Sequence, residues 1–431
     1  MKSAAFLPLA ALSLAAALPV TALADGAGLD FSGYLRSGVG SNQGGGGSQS
    51  CFQLPGAGAK YRLGNECETY AELALGKQVY ADAETGARFR VDSRLAMSAK
   101  QWQDWEDSSS DKNGNSNSKF ALREMFVTAE NIGLGQAKVW AGKRFYDRQD
   151  VHINDFYFWD NSGPGAGIEN IDVGVGKFAY AWRQNTVDSG NVSVDKLDHT
   201  LGVTGHDFRL SGIKVNPGGE LTLGLDLRYA KKDSADTANQ ATNGVAFNVM
   251  HTQSGVLGGY NKLALQYMKG SIAGSYGYPN PNANSDDKKY RLVEQLQWQP
   301  AGSKFGGMAV AVWEKQTPAQ GNGQTWISLG ARPTYAFTKH LGAALEMGYD
   351  QVKPENGERR TLFKTTAAFL ISPDQGFWSR PQLRLFATYA KWNQAAQLAA
   401  GADVNNPLSV VGHFGNQTHG VTIGAQAEAW W

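Results

Sequence analysis

Apolar and polar residues alternate with a period of two along most of this chain, which predicts strands with chemically distinct faces. In the terminal segment Val421, Ile423, Ala425, Ala427, Ala429 and Trp431 form an uncharged row, and Thr422, Gly424, Gln426, Glu428 and Trp430 form a polar one. Near the start, Phe31, Gly33, Leu35, Ser37 and Val39 alternate with Asp30, Ser32, Tyr34, Arg36 and Gly38. The same rhythm recurs at Thr69 to Leu75, Phe89 to Met97, Leu221 to Tyr229, Tyr260 to Tyr267 and Leu383 to Tyr389. It is mixed at Leu122 to Ala129 and at Leu292 to Trp298, and no helix-period segment of comparable clarity interrupts it.

Several polar rows carry an aromatic. Tyr34 sits with Arg36, Tyr70 with Glu68 and Glu72, Tyr260 with Lys262 and Gln266, Trp378 with Arg380 and Arg384, and Trp430 with Glu428. Packing alone does not account for rings among water-facing groups.

Beyond the first residues, no stretch approaches the ~20 consecutive apolar residues that a spanning helix needs. A chain of 431 residues that is 42% hydrophobic in alternating rows is expected to cross a membrane as a closed β-barrel, apolar outside and polar inside. At about 10 residues per tilted strand it has room for roughly 16 to 20 strands, enough for a water-filled interior.

The start of the chain fits export. Lys2, an apolar run from Ala4 to about Val20 and then Ala22-Leu23-Ala24 form a secretory signal with a small-x-small cleavage site, so 1–24 is expected to be removed and 25–431 to be a single barrel domain. A membrane anchor fits less well, because the apolar core is short, alanine-rich and followed by no stop-transfer charges. Segments rich in Gly, Ser, Asn, Asp and Pro at 107–118, 233–243, 276–287, 317–324 and 393–416 are expected as loops, the longer ones on the cell exterior.

Forty basic and 39 acidic side chains leave a net charge of +1, which gives no general field for nucleic acid. Cys51 and Cys67 are the only cysteines, and in an exported chain they are expected to form one disulfide, worth on the order of 3 kcal/mol in the chain-entropy model. Two such ligands do not complete a metal shell, and neither a metal nor a cofactor is expected.

One segment breaks the strand rhythm. Phe145 to Asp160 is dense in aromatics and charges, and it ends in Ser162-Gly163-Pro164-Gly165-Ala166-Gly167. It reads as a loop at about 145–167 folded into the lumen, narrowing the pore and supplying hydrogen-bonding groups. Gly163, Gly165 and Gly167 lack the Lys-Ser/Thr and the following helix of a phosphate-binding loop.

At these residues the chain resembles a known family. Cys51-Phe52-Gln53, Lys60 to Leu73, Trp140 to Tyr146, Asp155 to Gly176, Trp378-Ser379-Arg380-Pro381 and Trp430-Trp431 are similar to maltoporin, the outer-membrane sugar porin, with a match that runs from Asp30 to Trp431. The resemblance implies an outer-membrane homotrimer of barrels with about eighteen strands, the third outer loop constricting each pore. It further implies that maltose and maltodextrins slide along Trp105, Tyr70, Tyr34, Trp378, Tyr260 and Trp430, with Tyr157 opposite as a steric wall and Trp105 reaching a neighbouring subunit's pore. Tyr260 stands where the family pattern has phenylalanine. Arg148, Tyr157 and Asp160 match the maltodextrin type over the related sucrose porin, whereas Gly44 to Gly47, 107–118 and 393–416 depart from the family pattern.

Aromatics suit such a path because pyranose C–H faces are apolar and their hydroxyls radiate at the rim. Stacking contributes roughly 1 kcal/mol per ring without fixing register. Arg36, Arg62, Glu72, Arg123, Arg148, Asp150 and Asp155, together with Asp160, are the candidates for exchanging charge-assisted hydrogen bonds with successive hydroxyls.

Other functions fit less well. A secreted glycosidase could use Glu68 and Glu72 as its carboxylate pair, but it gives no role to the apolar rows. The histidines, seven in number, have no persuasive serine partner for a barrel lipase and are expected to be structural or at the surface. A nonselective porin differs from a specific one only in whether the aromatics bind. The sequence therefore points to a channel and assigns no catalytic residue.

Overall fold

The computed structural model describes residues 28–44, 47–101, 104, 118–188, 199–232, 240–274 and 283–431. The expected signal segment, residues 1–24, and Trp105 lie outside the described residues.

Eighteen antiparallel strands form one sheet that closes on itself. The first part contains β1 (Asp30–Asn42), β2 (Glu68–Ala81), β3 (Arg88–Lys100), β4 (Ser118–Glu130) and β5 (Lys138–Arg144). An inward loop follows, holding the short pair β6 (Gln149–Val151) and β7 (Phe156–Trp159) with a 3-10 turn at His152–Asn154 between them. The wall resumes with β8 (Gly163–Asp172), β9 (Lys177–Asp188), β10 (His199–Asn216), β11 (Gly219–Lys232), β12 (Gly244–Val256) and β13 (Gly259–Gly270). It continues with β14 (Lys288–Trp298), β15 (Phe305–Thr317), β16 (Gln324–Ala336), β17 (Leu341–Pro354), β18 (Arg360–Ile371), β19 (Gln382–Trp392) and β20 (His419–Trp430). Pairing of β1 with β20, Tyr34 opposite Trp430, completes the barrel and removes the free edges of its sheet.

The two ends differ. Tight turns such as Pro217-Gly218 and Leu257-Gly258 join strands at the end that carries both termini, and the long connections gather at the other. Leu257 and Gly258 both have positive φ, 50° and 76°, as a two-residue hairpin turn of the I′ kind requires. Short turns on one side and long loops on the other correspond to the periplasmic and exterior ends of outer-membrane barrels.

The outer wall exposes Phe31, Leu73, Phe120, Leu265, Leu385 and Ile423, while Glu72, Asp226, Arg228, Glu346 and Glu428 are buried on the inside. This is the inversion of a soluble protein, and the alternation predicted it. Trp431 faces outward against Phe31, with ring centroids 5.6 Å apart.

The expectation of a polar interior holds on only part of the circumference. From β12 to β19 many inward positions are apolar and buried, among them Met250, Met268, Val293, Val310, Val312, Trp326, Val352 and Leu362. Two inward-folded loops cover them. Residues 43–67 contribute Phe52, Leu54 and Tyr61, and residues 145–162 contribute Val151, Ile153, Phe156, Phe158 and Trp159. A wall pressed between lipid and a packed loop needs apolar groups on both faces, which explains the mixed rhythm at Leu292 to Trp298. There Val293 is buried inward, and Glu294 points outward and accepts a bond from Asn261 Nδ2.

The irregularity at Leu122 to Ala129 has a different cause. Arg94 pairs with Glu124 and Leu95 with Leu122, so Arg123 is the extra residue of a β-bulge. The bulge restores the outward row, with Phe120 and Leu122 exposed before it and Met125 and Val127 after it.

Close approach of the loops to the wall depends on missing side chains. A Cβ at Gly224 would lie 2.3 Å from Trp159 Cζ2, and one at Gly348 would lie 2.0 Å from Tyr61 Cδ2. Cys51 and Cys67 form the expected disulfide, with Cα atoms 6.0 Å apart, at the base of the first inward loop. The sequence did not distinguish this loop as a second inward one.

Wall side chains capture the carbonyls of the 145–162 loop. Arg209 Nη1 donates to Asp147 O at 2.7 Å, Gln295 Nε2 to Asp150 O at 3.1 Å, Arg332 Nη2 to Ile153 O at 3.4 Å and Arg291 Nη1 to Phe158 O at 2.8 Å. Asn161 Nδ2 donates to both Asp207 and Asp226 at the loop's far end. The loop is shorter than expected, because Gly163 to Gly167 pair with β5 as the start of β8. A φ of 142° at Gly163 makes that turn into the strand.

The 393–416 segment also departs from the expected plain loop. Asn393 caps a short helix α1 (Gln394–Ala399), its Oδ1 accepting from Ala396 N at 3.0 Å. Beyond it, Leu408 and Phe414 are buried, and Phe414 stacks on Phe52 at 5.7 Å.

Candidate functional site

The covered sector leaves the opposite part of the lumen open, and the predicted residues converge there. A cavity of about 460 Å³ is lined by Tyr34 and Arg36 from β1, Tyr70 and Glu72 from β2, Arg123 from the β4 bulge and Trp430 from β20. The first inward loop adds Arg62, and the second adds Arg148, Asp150, His152, Asp155, Tyr157 and Asp160. Every charged residue singled out as a hydroxyl partner, Arg36, Arg62, Glu72, Arg123, Arg148, Asp150, Asp155 and Asp160, thus borders one space.

Rings run along one side of this space. Tyr70 lies 6.1 Å from Tyr34, Tyr34 is the cross-strand neighbour of Trp430, and Trp430 lies 6.4 Å from Trp378. Tyr70 stands at the exterior end of β2, and Trp378 lies in the periplasmic connection between β18 and β19, so the row descends through the membrane. Tyr157 lines the cavity from the inward loop. Tyr260 does not border it: its half-buried ring packs beside the apolar core, 5.9 Å from Lys262 Nζ. Lys262 is itself drawn to Gln149 Oε1 at 3.0 Å.

Most of the charges are fixed before any solute arrives. Arg62 Nε donates to Glu66 Oε1 at 2.8 Å, and its Nη2 donates to Tyr34 Oη at 2.7 Å and to Glu428 Oε1 at 3.2 Å. Arg36 lies 3.3 Å from Glu66, 2.5 Å from Glu68 and 3.7 Å from Asp155, and its guanidinium sits 5.0 Å from the Tyr70 ring. Glu72 accepts from Tyr70 Oη at 2.6 Å and from Arg94 Nη1 at 2.9 Å. Glu68 and Glu72, the carboxylate pair a glycosidase would use, are therefore both engaged by arginine. Arg148 rests 3.6 Å from the Phe145 ring and 4.7 Å from that of Tyr157.

Burial tunes the loop groups. It pushes the Tyr157 phenol up to about 12, with Asp155 adding to the effect. It also raises the Asp150 carboxyl above its ordinary range, again helped by Asp155. His152 is held well below the usual imidazole range by burial and by Arg62, so it is neutral.

His152 corrects the expectation that the histidines are structural or at the surface. It borders the cavity, its ring 4.9 Å from Trp378 and 5.9 Å from Trp430, and its buried Nε2 has no partner among the described residues. Its place inside the aromatic and charged segment Phe145 to Asp160 was the available signal. Glu428 and Arg380 were also missed as site residues. Glu428 accepts from Arg62, Arg380 and Arg384, and the Arg380 guanidinium lies 4.2 Å from the Trp430 ring. Both had appeared in polar rows next to a tryptophan.

The family model described as LamB porin matches residues 29–431. Among solved structures, a BenF-like porin from Pseudomonas fluorescens Pf-5 is 10% identical, with a TM-score of 0.50 over 94% of this chain and 99% of that one. OpdK of Pseudomonas aeruginosa, solved with vanillate, is 9% identical, with a TM-score of 0.49 over 94% of this chain and 99% of that one. At such identity the likeness to the BenF-like porin concerns the barrel and not the solute.

Proposed function

The chain belongs to the LamB porin family, and from that premise we propose that this outer-membrane porin is specific for maltose and linear maltodextrins, which it passes by facilitated diffusion. The observation that carries the reading is the row Tyr70, Tyr34, Trp430 and Trp378 descending beside a cavity walled by fixed charges of both signs. Apolar sugar faces stack on the rings, and the hydroxyl rims exchange hydrogen bonds with Arg36, Arg62, Glu72, Arg123, Arg148, Asp150, Asp155 and Asp160. Because Arg36, Arg62 and Glu72 are already paired, a sugar contact with any of them is an exchange of partners, and no single site traps the chain. Tyr157 narrows the passage from the other side.

A homotrimer belongs to the same proposal, as does entry of Trp105 into a neighbouring pore. An outward concavity of about 1050 Å³, lined by small and apolar groups such as Ser41, Ala343, Ala367 and Ala387, supports a docking face for a second copy. Outer-membrane lipids are the expected partners of the remaining wall.

Liposome swelling tests the specificity. Maltotriose is expected to enter proteoliposomes faster than raffinose, a trisaccharide of equal mass with different sugars and linkages. Equal rates set only by solute size would make this a nonselective porin.

A further inference from the structure

The guanidiniums that border the pore cavity fall into two kinds. Arg36 and Arg62 are held by carboxylates at 2.5–3.3 Å. Arg123 and Arg148 have no ion pair and no side-chain hydrogen bond to any described residue, and what they share is a ring. Arg148 Cζ lies 3.6 Å and Arg123 Cζ 4.8 Å from the centroid of Phe145; Arg94 Cζ lies 5.5 Å from the same ring but is held by Glu72 and Glu124. Phe145 is itself pinned, its N–H donating to Glu124 Oε1 at 2.8 Å while Glu124 Oε2 takes Arg94 Nε at 2.6 Å. Phe145 sits where β5 turns into the inward loop, opposite the bulge that projects Arg123.

A carboxylate would hold an arginine by occupying its N–H donors and cancelling its charge. An aromatic face attracts the same cation through its quadrupole and leaves the five in-plane N–H groups unused. We propose that Phe145 is a positioning residue, a cation–π anchor that keeps Arg123 and Arg148 at the constriction with their charge uncancelled and their donors available to a passing solute. One ring thus gathers two like charges that would otherwise separate, or swing to the carboxylates across the cavity. The inference rests on the porin reading of this cavity and deepens it by naming what keeps these two contacts ready.

The test compares Phe145→Leu, which keeps an apolar side chain but loses the π face, with Phe145→Tyr, which keeps the ring. Two quantities are read in planar bilayers: the reversal potential in a potassium chloride gradient and the maltotriose block of ion current. Phe145→Leu is expected to shift the reversal potential toward cation preference and to weaken the block about fivefold, the scale of a cation–π contact. Phe145→Tyr is expected to keep both close to the parent. An unchanged reversal potential in Phe145→Leu overturns the proposal, and so does a Phe145→Tyr channel altered as much as the leucine variant, since the residue would then act by packing. If maltotriose does not block the parent channel, the sugar reading fails while the reversal potential still decides the role of Phe145. Phe145→Met serves in the same comparison should the leucine variant not assemble.

Discussion

Replacing Arg291 by methionine keeps most of the side-chain volume and removes the guanidinium that ties the Phe158 end of the inward loop to β14. Arg291 is buried, with Nη1 donating to Phe158 O at 2.8 Å and to Gln266 Oε1 at 2.9 Å, and Nε donating to Glu314 Oε2 at 2.7 Å. The substitution leaves the Phe158 carbonyl and the Gln266 oxygen without their donor, and Glu314 with Lys289 at 3.5 Å as its remaining cation. A charge-assisted bond to a buried acceptor is worth about 1.5–3 kcal/mol, and an orphaned acceptor costs a similar amount. Because Lys289 compensates Glu314 in part, a loss of about 3 kcal/mol in loop anchoring follows, short of the full cost of an unpaired buried charge. At about 1.4 kcal/mol per tenfold, the fraction of time the Phe156–Trp159 limb leaves the wall rises roughly a hundredfold. The other carbonyl captures keep the closed state dominant, so mean conductance should change little while brief current fluctuations become about a hundredfold more frequent. Single-channel recording measures this directly. A variant with parent-like noise would refute the idea that the constriction is held by its captured carbonyls.

Other perturbations address the cavity itself. Trp378→Ala removes the periplasmic member of the ring row and is expected to weaken maltotriose block about threefold to tenfold, the range of one stacking contact, as read from current titration. Tyr157→Ala removes bulk at the constriction and should raise single-channel conductance in salt; an unchanged value would show that the narrowest point lies elsewhere. Burial and the neighbouring Asp155 hold the Asp150 carboxyl above the ordinary aspartate range, so it takes up its proton at a higher pH than a free aspartate does. Acidification from neutrality therefore removes a negative charge and should shift the reversal potential toward anions, while His152 stays neutral. Asp150→Asn should flatten that pH dependence, and an identical slope in the variant would assign it to another group.

The barrel was legible because membrane strands write their environment into a period of two, and the rings at Tyr34, Tyr70, Trp378 and Trp430 stood out because they fell on the wrong row. Arg62 lies on no strand, and its place in the cavity depends on a loop whose inward fold is set by Tyr61 finding room against Gly348. Periodicity carries no information about that contact. The polar-in rule failed at Val293 because the rule assumes water inside, and there the inside is protein. Tyr260 shares the row signature of the other rings, but its ring packs against the buried apolar cluster, a three-dimensional fact that alternation does not encode. His152 was undervalued because an isolated histidine reads as structural until its tryptophan neighbours are known.

Binding of sugar by the aromatic row is decided by titrating maltotriose against ion current through the reconstituted channel, beside the double replacement of Tyr34 and Trp378 by alanine. Saturable block of the parent at micromolar to millimolar sugar and a marked loss of block in the double variant are expected; current through the parent that maltotriose leaves untouched, or equal block in both channels, would show that the row does not bind sugar.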